Sequence, residues 1–489
     1  MKEGRLAGPR VTWNTALVAG PPPTMSRWRT VLARAAISGR WCSSASVPST
    51  SLGKTKRSVR AGQHAGAYQV VTATLPGGDP GRRGEEITFS CHLDHPRPGA
   101  NDNASGCAAI LEVARTFHTL VREGRIPPPA RTLRFVWPPE IEGTVALLNA
   151  RPQLAARIKG AIHLDMVGGG PETKAVFHVT RGPASLPSFI YDVAEALGEF
   201  VNRETDAFAA GRPADYPLVA PEGGKEALAA QMAELTLGSD HQVYADSSFG
   251  IPALYFNDWP DRYIHTSADT AAHVDPTKLR RAAFLAAAAG YVLASAGPDD
   301  AASLWEAVRV HSLRRAATSL ERRAGLPAEE ATALARFQQD YERALLGSLD
   351  RFVPVTPRLR AQAEAHLSSL RRLLGDPGPR PVATGPGAVV YRRNPSVKGP
   401  VSVFGYDYLE DHYDRAADLR LLVFTGARGS GADYAYEVLN FVNGARSAAE
   451  IRDAVSAVYG PVPLDLVVEY LGALRTAGLV EQNPSSPHR

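Results

Sequence analysis

Four stretches of this chain concentrate imidazoles and carboxylates at short spacing. The first is His92-Leu93-Asp94-His95-Pro96, followed at once by Gly99-Ala100-Asn101-Asp102-Asn103-Ala104-Ser105-Gly106. The others are Pro139-Glu140-Ile141-Glu142-Gly143-Thr144, Asp165-Met166-Val167-Gly168, and Tyr263-Ile264-His265-Thr266-Ser267-Ala268-Asp269-Thr270. Imidazole and carboxylate together suit zinc, and a zinc-bound histidine needs a further acceptor to hold its ring. Singly, each group has a plainer reading: Asp102 as a helix cap, Asp165 in a turn, His265 at the surface. Jointly they call for one explanation.

That explanation requires elements that bring the four stretches together. Each acidic or histidine-bearing stretch follows a run with strand character: Glu86 to Cys91, Thr132 to Trp137, Gly160 to Met166 and Pro252 to Phe256. Tyr68 to Leu75 and Ala175 to Val179 add two more strands, and helical spacing appears at Ala104 to Glu123, Pro187 to Val201 and Thr277 to Ala296. Strands alternating with helices predict a mostly parallel sheet covered on both faces, whose ligands collect beyond the carboxyl ends of the strands. The four stretches fall at such ends.

The ordered motifs H-L-D, P-G-A-N-D-N-A-S-G, P-E-I-E-G-T, H-L-D-M-V-G, G-S-D-H-Q-V-Y and Y-I-H-T-S-A-D-T resemble those of peptidase family M28, the clan MH zinc aminopeptidases, over Cys91 to Thr270. The resemblance is nearest to the branch with a short spacing from H-x-D to N-D-N-A-S-G. It implies an α/β fold, a three-layer α/β/α sandwich with a mostly parallel mixed sheet, and hydrolysis of N-terminal peptide bonds by a metal-activated water. It also implies that His92, Asp102 and Asp165 hold one zinc, with Asp102 bridging to a second held by His265. Asp94 would orient His92, Glu140 would be the general base, and Asp240 and His241 would stand behind the pocket.

One departure affects the ion count. The family usually carries two adjacent glutamates, a base and then a ligand of the second zinc, but Ile141 stands in the second position. Glu142 is a tentative replacement after a one-residue shift, and one or two zinc ions stay open. Two other readings accompany the aminopeptidase: a catalytically impaired relative acting as a binding protein, and glutaminyl-cyclase-like acyl transfer. For the ammonium of a peptide substrate, Glu142, Glu222 and Asp258 are candidates.

The rest of the chain sets the context. At 489 residues it exceeds one ordinary core, and its 54 Lys and Arg against 50 Asp and Glu leave little net charge. Residues 1–60 read as a disordered basic leader, since Glu3 is the only acid before Leu75. Residues 61–297 form the expected zinc exopeptidase domain, 298–375 a helical extension, 376–400 a linker and 401–489 a small winged-helix-like C-terminal domain. That last domain carries seven acids against three arginines from Asp433 to Glu481, so nucleic acid is not expected there. A protein partner or homo-oligomer contact suits it better, and the region after Gly297 is expected to be dispensable for chemistry. The apolar run Ala282 to Ala296 is too short for a membrane span and reads as a buried helix. Cys42, Cys91 and Cys107 offer no disulfide framework, with Cys91 and Cys107 read as small buried residues, and a cytoplasmic location is expected. No H-E-x-x-H or G-x-S-x-G motif occurs.

Overall fold

The computed structural model describes residues 12–18, 68–403 and 406–483. Its central sheet is built from β1 (Thr12–Val18), β2 (Tyr68–Leu75), β3 (Glu86–Ser90), β4 (Thr132–Trp137), β5 (Ile158–Asp165), β6 (Val176–Thr180), β7 (Gln231–Ala233) and β8 (Ala253–Trp259), in the spatial order β1-β2-β4-β3-β5-β8-β6-β7. The middle strands β4, β3, β5 and β8 run parallel, while β1, β2 and β6 pair antiparallel with their inner neighbours. The sheet is therefore mixed with a parallel centre, as the alternating pattern predicts. Within the 1–60 segment, Thr12–Val18 is an edge strand; its other residues lie outside those described.

Helices cover both faces because the strands alternate their side chains with period two. On β4, Leu133, Phe135 and Trp137 enter one core and Val136 the other; on β8, Leu254 and Phe256 oppose Ala253. The first face is packed by α1 (Gly106–Arg122), and the opposite face by α2 (Glu142–Ala150) and α3 (Pro152–Arg157). The first face also receives α4 (Phe189–Ala209), whereas the short α5 (His241–Ala245) lies on the opposite face. Next comes α6 (Pro276–Ser295), the buried alanine-rich helix, which packs against α1 and α4. Its small residues permit close approach: a Cβ on Gly290 would fall 2.1 Å from the Phe89 ring. No single helix among the described residues is long and apolar enough to cross a membrane.

Beyond Gly297, α7 (Ala301–Arg323), α8 (Ala328–Gly347) and α9 (Pro357–Leu374) are helical as expected, and Leu304, Trp305, Val308 and Leu345 join the same core as the first face of the sheet. A separate core starts at Tyr391. It contains β9 (Tyr391–Arg393), a small ribbon of β10 (Ser402–Val403) and β11 (Tyr406–Asp407), and α10 (Tyr408–His412). The same unit continues through α11 (Gly431–Phe441), α12 (Ala448–Tyr459), α13 (Leu464–Thr476) and β12 (Val480–Gln482), with β12 paired antiparallel to β9.

Cys91 and Cys107 correct one expectation. They pair as a disulfide, Cα atoms 5.4 Å apart, joining the end of β3 to the first turn of α1. The sequence places them sixteen residues apart; only the return of the chain from β3 through the Asn101–Ser105 turn makes them neighbours.

Candidate metal centre

His92 leaves the end of β3 with its ring buried. Its Nδ1 lies 2.9 Å from the backbone oxygen of Asp94, so Nδ1–H donates there and Nε2 is turned toward the carboxyl ends of the strands. Nε2 is 3.2 Å from Asp165 Oδ1 and 3.2 Å from Asp102 Oδ1. The Asp94 carboxylate itself is exposed and 3.8 Å from Nδ1. Its Oδ1 instead accepts from the Glu140 backbone N–H at 2.7 Å. Asp94 thus orients His92 through its carbonyl and holds the Glu140 turn through its side chain.

The N-D-N-A-S segment forms an irregular turn pinned on all sides. Asn103 Nδ2 donates to the Leu164 carbonyl, and its Oδ1 accepts from Met166 and Gly106 N–H. Asn101 Oδ1 accepts from Gly168 N–H and its Nδ2 donates to Asp261. The buried carboxylate of Asp269 accepts from both Asn101 and Asp102 N–H, at 2.7 and 3.0 Å. These bonds fix Asp102 between two groups of nitrogens. Its Oδ1 meets His92, and its Oδ2 lies 3.1 Å from Nε2 of His265 and 3.1 Å from Nε2 of His95.

Glu140 follows β4 on a tight turn. Ile141 sits at φ 54, ψ −67, and the Glu142 N–H donates back to the Glu140 carbonyl at 2.5 Å. Such a conformation strains a β-branched residue and persists only when neighbours over-determine it. Here Asp94 and Asp240 do so, Asp240 Oδ1 accepting from Ile141 N–H at 2.9 Å. Non-glycine residues at positive φ recur beside the other site groups, at Met166 and His265. The turn sends Ile141 into the apolar layer with Val145, Leu148 and Val243, while Glu140 joins His92 and Asp165. Glu142 opens α2 and belongs to neither group of converging donors.

Asp240 is buried behind this turn, and burial pushes its carboxyl up to about 6. His241 is also buried. Its Nε2 lies 2.7 Å from the Thr236 carbonyl, its ring stacks on Tyr255 at 4.0 Å, and burial lowers it to about 4. His163, which the sequence reading passed over, bridges Ser90 and Ser239 beneath Asp240. Asp258 corrects another candidate: it is buried against Lys278 at 2.6 Å and accepts from Gly169 N–H, so it does not receive a substrate ammonium. Glu222 is exposed on the loop before β7.

The electrostatics of the cluster favour a cation at its centre. Burial pushes Glu140 up to about 8, opposed by His92 and reinforced by Asp165, Asp240 and Asp102. Burial pulls His92 down, but Asp165 and Asp102 outweigh it and hold the imidazole well above its ordinary range. Carboxylates this close repel one another unless positive charge sits among them. The donors His92, Glu140 and Asp165 lie within 4.8 Å of one another, as do His95, Asp102 and His265. Mixed nitrogen and oxygen donors of this kind fit zinc. A third group, Asp192, Glu195 and His311, is already neutralised by Arg315 and Arg181.

Comparison with known proteins bears on the same region. The profile of peptidase family M28 matches residues 70–290. A probable zinc metalloprotease of Pyricularia oryzae is 26% identical over 235 residues, 43% of this chain and 44% of that protein. The chain thus spans less than half the length of this curated relative. Among solved structures, BSAP, a zinc aminopeptidase from Bacillus subtilis, is 20% identical over 46% of this chain and 49% of its own, with a TM-score of 0.34. The Legionella pneumophila LapA aminopeptidase is 20% identical over 47% and 55%, TM-score 0.34. A putative peptidase from Clostridium acetobutylicum is 12% identical over 85% of this chain and 61% of its own, TM-score 0.34.

Proposed function

Since residues 70–290 form a domain of peptidase family M28, we propose that this protein is a zinc-dependent aminopeptidase that hydrolyses the N-terminal bond of peptides. One observation carries the reading: His92 and Asp165, 73 residues apart in the chain, meet Asp102 and Glu140 where three parallel strands end. His92, Asp102 and Asp165 would hold the zinc. When bound there, zinc acidifies water and polarises a carbonyl.

The chain's own residues supply the rest. Glu140, on the turn held by Asp94 and Asp240, takes a proton from the attacking water and returns it to the departing amine. A carboxyl raised by burial suits that exchange, because its two protonation states come closer in energy near neutral pH. The excess of carboxylates over positive side chains at the strand ends draws a cationic N-terminus toward the site. His92 keeps Nε2 turned inward through its bond to the Asp94 carbonyl.

A panel of aminoacyl amides and their N-acetylated counterparts tests this. Free-amine substrates should be cleaved and acetylated ones at least about a hundredfold more slowly, the scale of one lost contact to a charged group. Equal cleavage of blocked peptides would remove the exopeptidase part of the reading. No hydrolysis of any peptide by zinc-loaded protein would remove the whole.

A further inference from the structure

A cavity of about 290 Å³ shares no residue with the metal centre. Its walls come from three parts of the chain: the sheet edge around β6 and β7 with α4, the helices α7 and α8 beyond Gly297, and the last turn of α12 in the C-terminal unit. Small-molecule sites begin at about 300 Å³, and liquid water takes roughly 30 Å³ per molecule, so the space suits one small ligand or a cluster of waters.

The deepest charges in the lining do not select between these. Arg315 holds Asp192 and Glu342, while Arg181 and His311 meet Glu195. Three other lining groups are left over. Ser319 is 2% exposed and Tyr459 4%, yet neither hydroxyl has a hydrogen-bond partner among the described residues. A buried hydroxyl in that state is costly unless something enters to meet it. Arg322 lies one turn beyond Ser319 on the same face of α7. Its acid is Glu234, 3.6 Å away on a side chain 65% exposed, which is an ion pair too long for a hydrogen bond. Nearby Arg428 is already engaged, donating to the Val458 and Ala457 carbonyls at the end of α12. Most of the remaining lining is apolar, including Met232, Leu235, Leu334, Phe337 and Val458.

These groups define a ligand chemistry. A guanidinium only donates and both hydroxyls are able to donate, so together they suit an acceptor with negative charge. One weakly paired guanidinium balances a single charge, which fits a carboxylate better than a phosphate dianion. We propose that this cavity binds a small carboxylate with an apolar body, its charged end on Arg322, Ser319 and Tyr459 and its apolar part among Met232, Leu334 and Phe337. Ser319 and Arg322 belong to the helical extension and Tyr459 to the C-terminal unit, so an occupant ties the two together. Free apolar amino acids, the products of an aminopeptidase, have this chemistry, and so do carboxylic acids without an amine. The binding site itself does not depend on the peptidase reading.

Titration calorimetry and thermal melts of the full-length protein with leucine, isocaproate and isocaproamide decide this. Leucine, isocaproate or both should bind and raise the melting temperature with concentration, and the neutral amide should do neither. Binding of leucine alone would identify an amino-acid site; equal binding of isocaproate would identify a site that reads the carboxylate and ignores the amine. Arg322→Gln should weaken binding by roughly tenfold or more, the scale of a hydrogen bond to a charged group. Ser319→Ala and Tyr459→Phe remove only unpartnered hydroxyls. They should therefore leave the unliganded melt unchanged or raised while weakening binding, a combination that a purely structural role does not produce. If Arg322→Gln does not fold, these two variants decide. No binding of either carboxylate at millimolar concentration would mean that the cavity holds water only and would overturn the proposal. Equal binding of the amide, or binding that all three variants leave unchanged, would place the ligand elsewhere, the metal centre included, and would also overturn it.

Discussion

Ile141 shows how one residue's backbone can matter more than its side chain. Its positive φ creates the turn that aims Glu140 inward, and two carboxylates hold that turn, Asp94 accepting from the Glu140 N–H and Asp240 from the Ile141 N–H. If Glu140 is the base, Glu140→Gln should keep its zinc and lose about two or more orders of magnitude in turnover. Zinc analysis alongside kcat checks this, and loss of zinc would recast Glu140 as a ligand. His92, Asp102, Asp165 and Glu140 were legible in the sequence because each follows a strand-like run, so a parallel sheet alone predicts that they meet. His95 and Asp269 were not assigned. His95 stood in plain view in H-L-D-H, but its partner His265 lies at the far end of the domain. Asp269 acts on backbone amides 168 and 167 residues away, a relation that no local pattern encodes.

At the scale of elements, the site depends on a turn that two asparagines tie to the end of β5, and on a helix that starts where that turn stops. Gly106 begins α1 with ordinary helical angles, φ −63 and ψ −42, so its glycine is not required by backbone conformation. An exposed helical glycine replaced by alanine gains about 1 kcal/mol. Here a Cβ would fall 2.3 Å from the Leu164 carbonyl and 2.4 Å from Asn103 Oδ1. Gly106→Ala should therefore lower the melting temperature and zinc affinity together, against the sign that propensity gives, and an unchanged melt would show that β5 and α1 are not tightly joined. The strands β4, β5 and β8 and the helix α6 were readable because long apolar runs leave little choice of period. β1 and β7 were not readable: one lies in a basic, acid-poor segment and the other is three partly exposed residues. The Cys91–Cys107 pair was missed for the same reason as His95, since pairing depends on the chain's return path.

At the scale of the whole molecule, the C-terminal unit sits against the domain that carries the candidate metal centre. Tyr436 donates to the Gln242 carbonyl at 2.7 Å, Asn440 Oδ1 accepts from Ser247 N–H, Arg393 meets Asp246, and Arg452 pairs with Glu330. The first three contacts brace α5 and the residues after it, close behind Asp240, so the expectation that everything beyond Gly297 is dispensable for chemistry is to be tested by truncating the C-terminal unit. The cavity of about 290 Å³ lies at the junction of α4, α7, α8 and α12, and the charges Arg181, Glu195, His311 and Arg315 in its lining are paired internally. Glu437 on α11 gives the docking a pH dependence. Its Oε1 accepts from Ala184 and Ser185 N–H, yet burial is the larger effect and pushes the carboxyl from 4.5 up to about 7. A carboxyl with a raised folded-state value contributes stability below its unfolded value and loses it as pH rises through the folded one. Wild-type protein should thus lose stability between about pH 5 and pH 7, and Glu437→Gln should flatten that slope in urea melts. Parallel slopes would show that Glu437 stays ionised. The central claim, that parallel strand ends assemble a zinc site from His92, Asp102 and Asp165, is tested most directly by anomalous scattering at the zinc edge from crystals of the full-length protein. The account predicts a peak at about 2.0–2.1 Å from His92 Nε2, between the two aspartates. Zinc-loaded crystals without a peak there, or with the ion held instead at Asp192, Glu195 and His311, would contradict it.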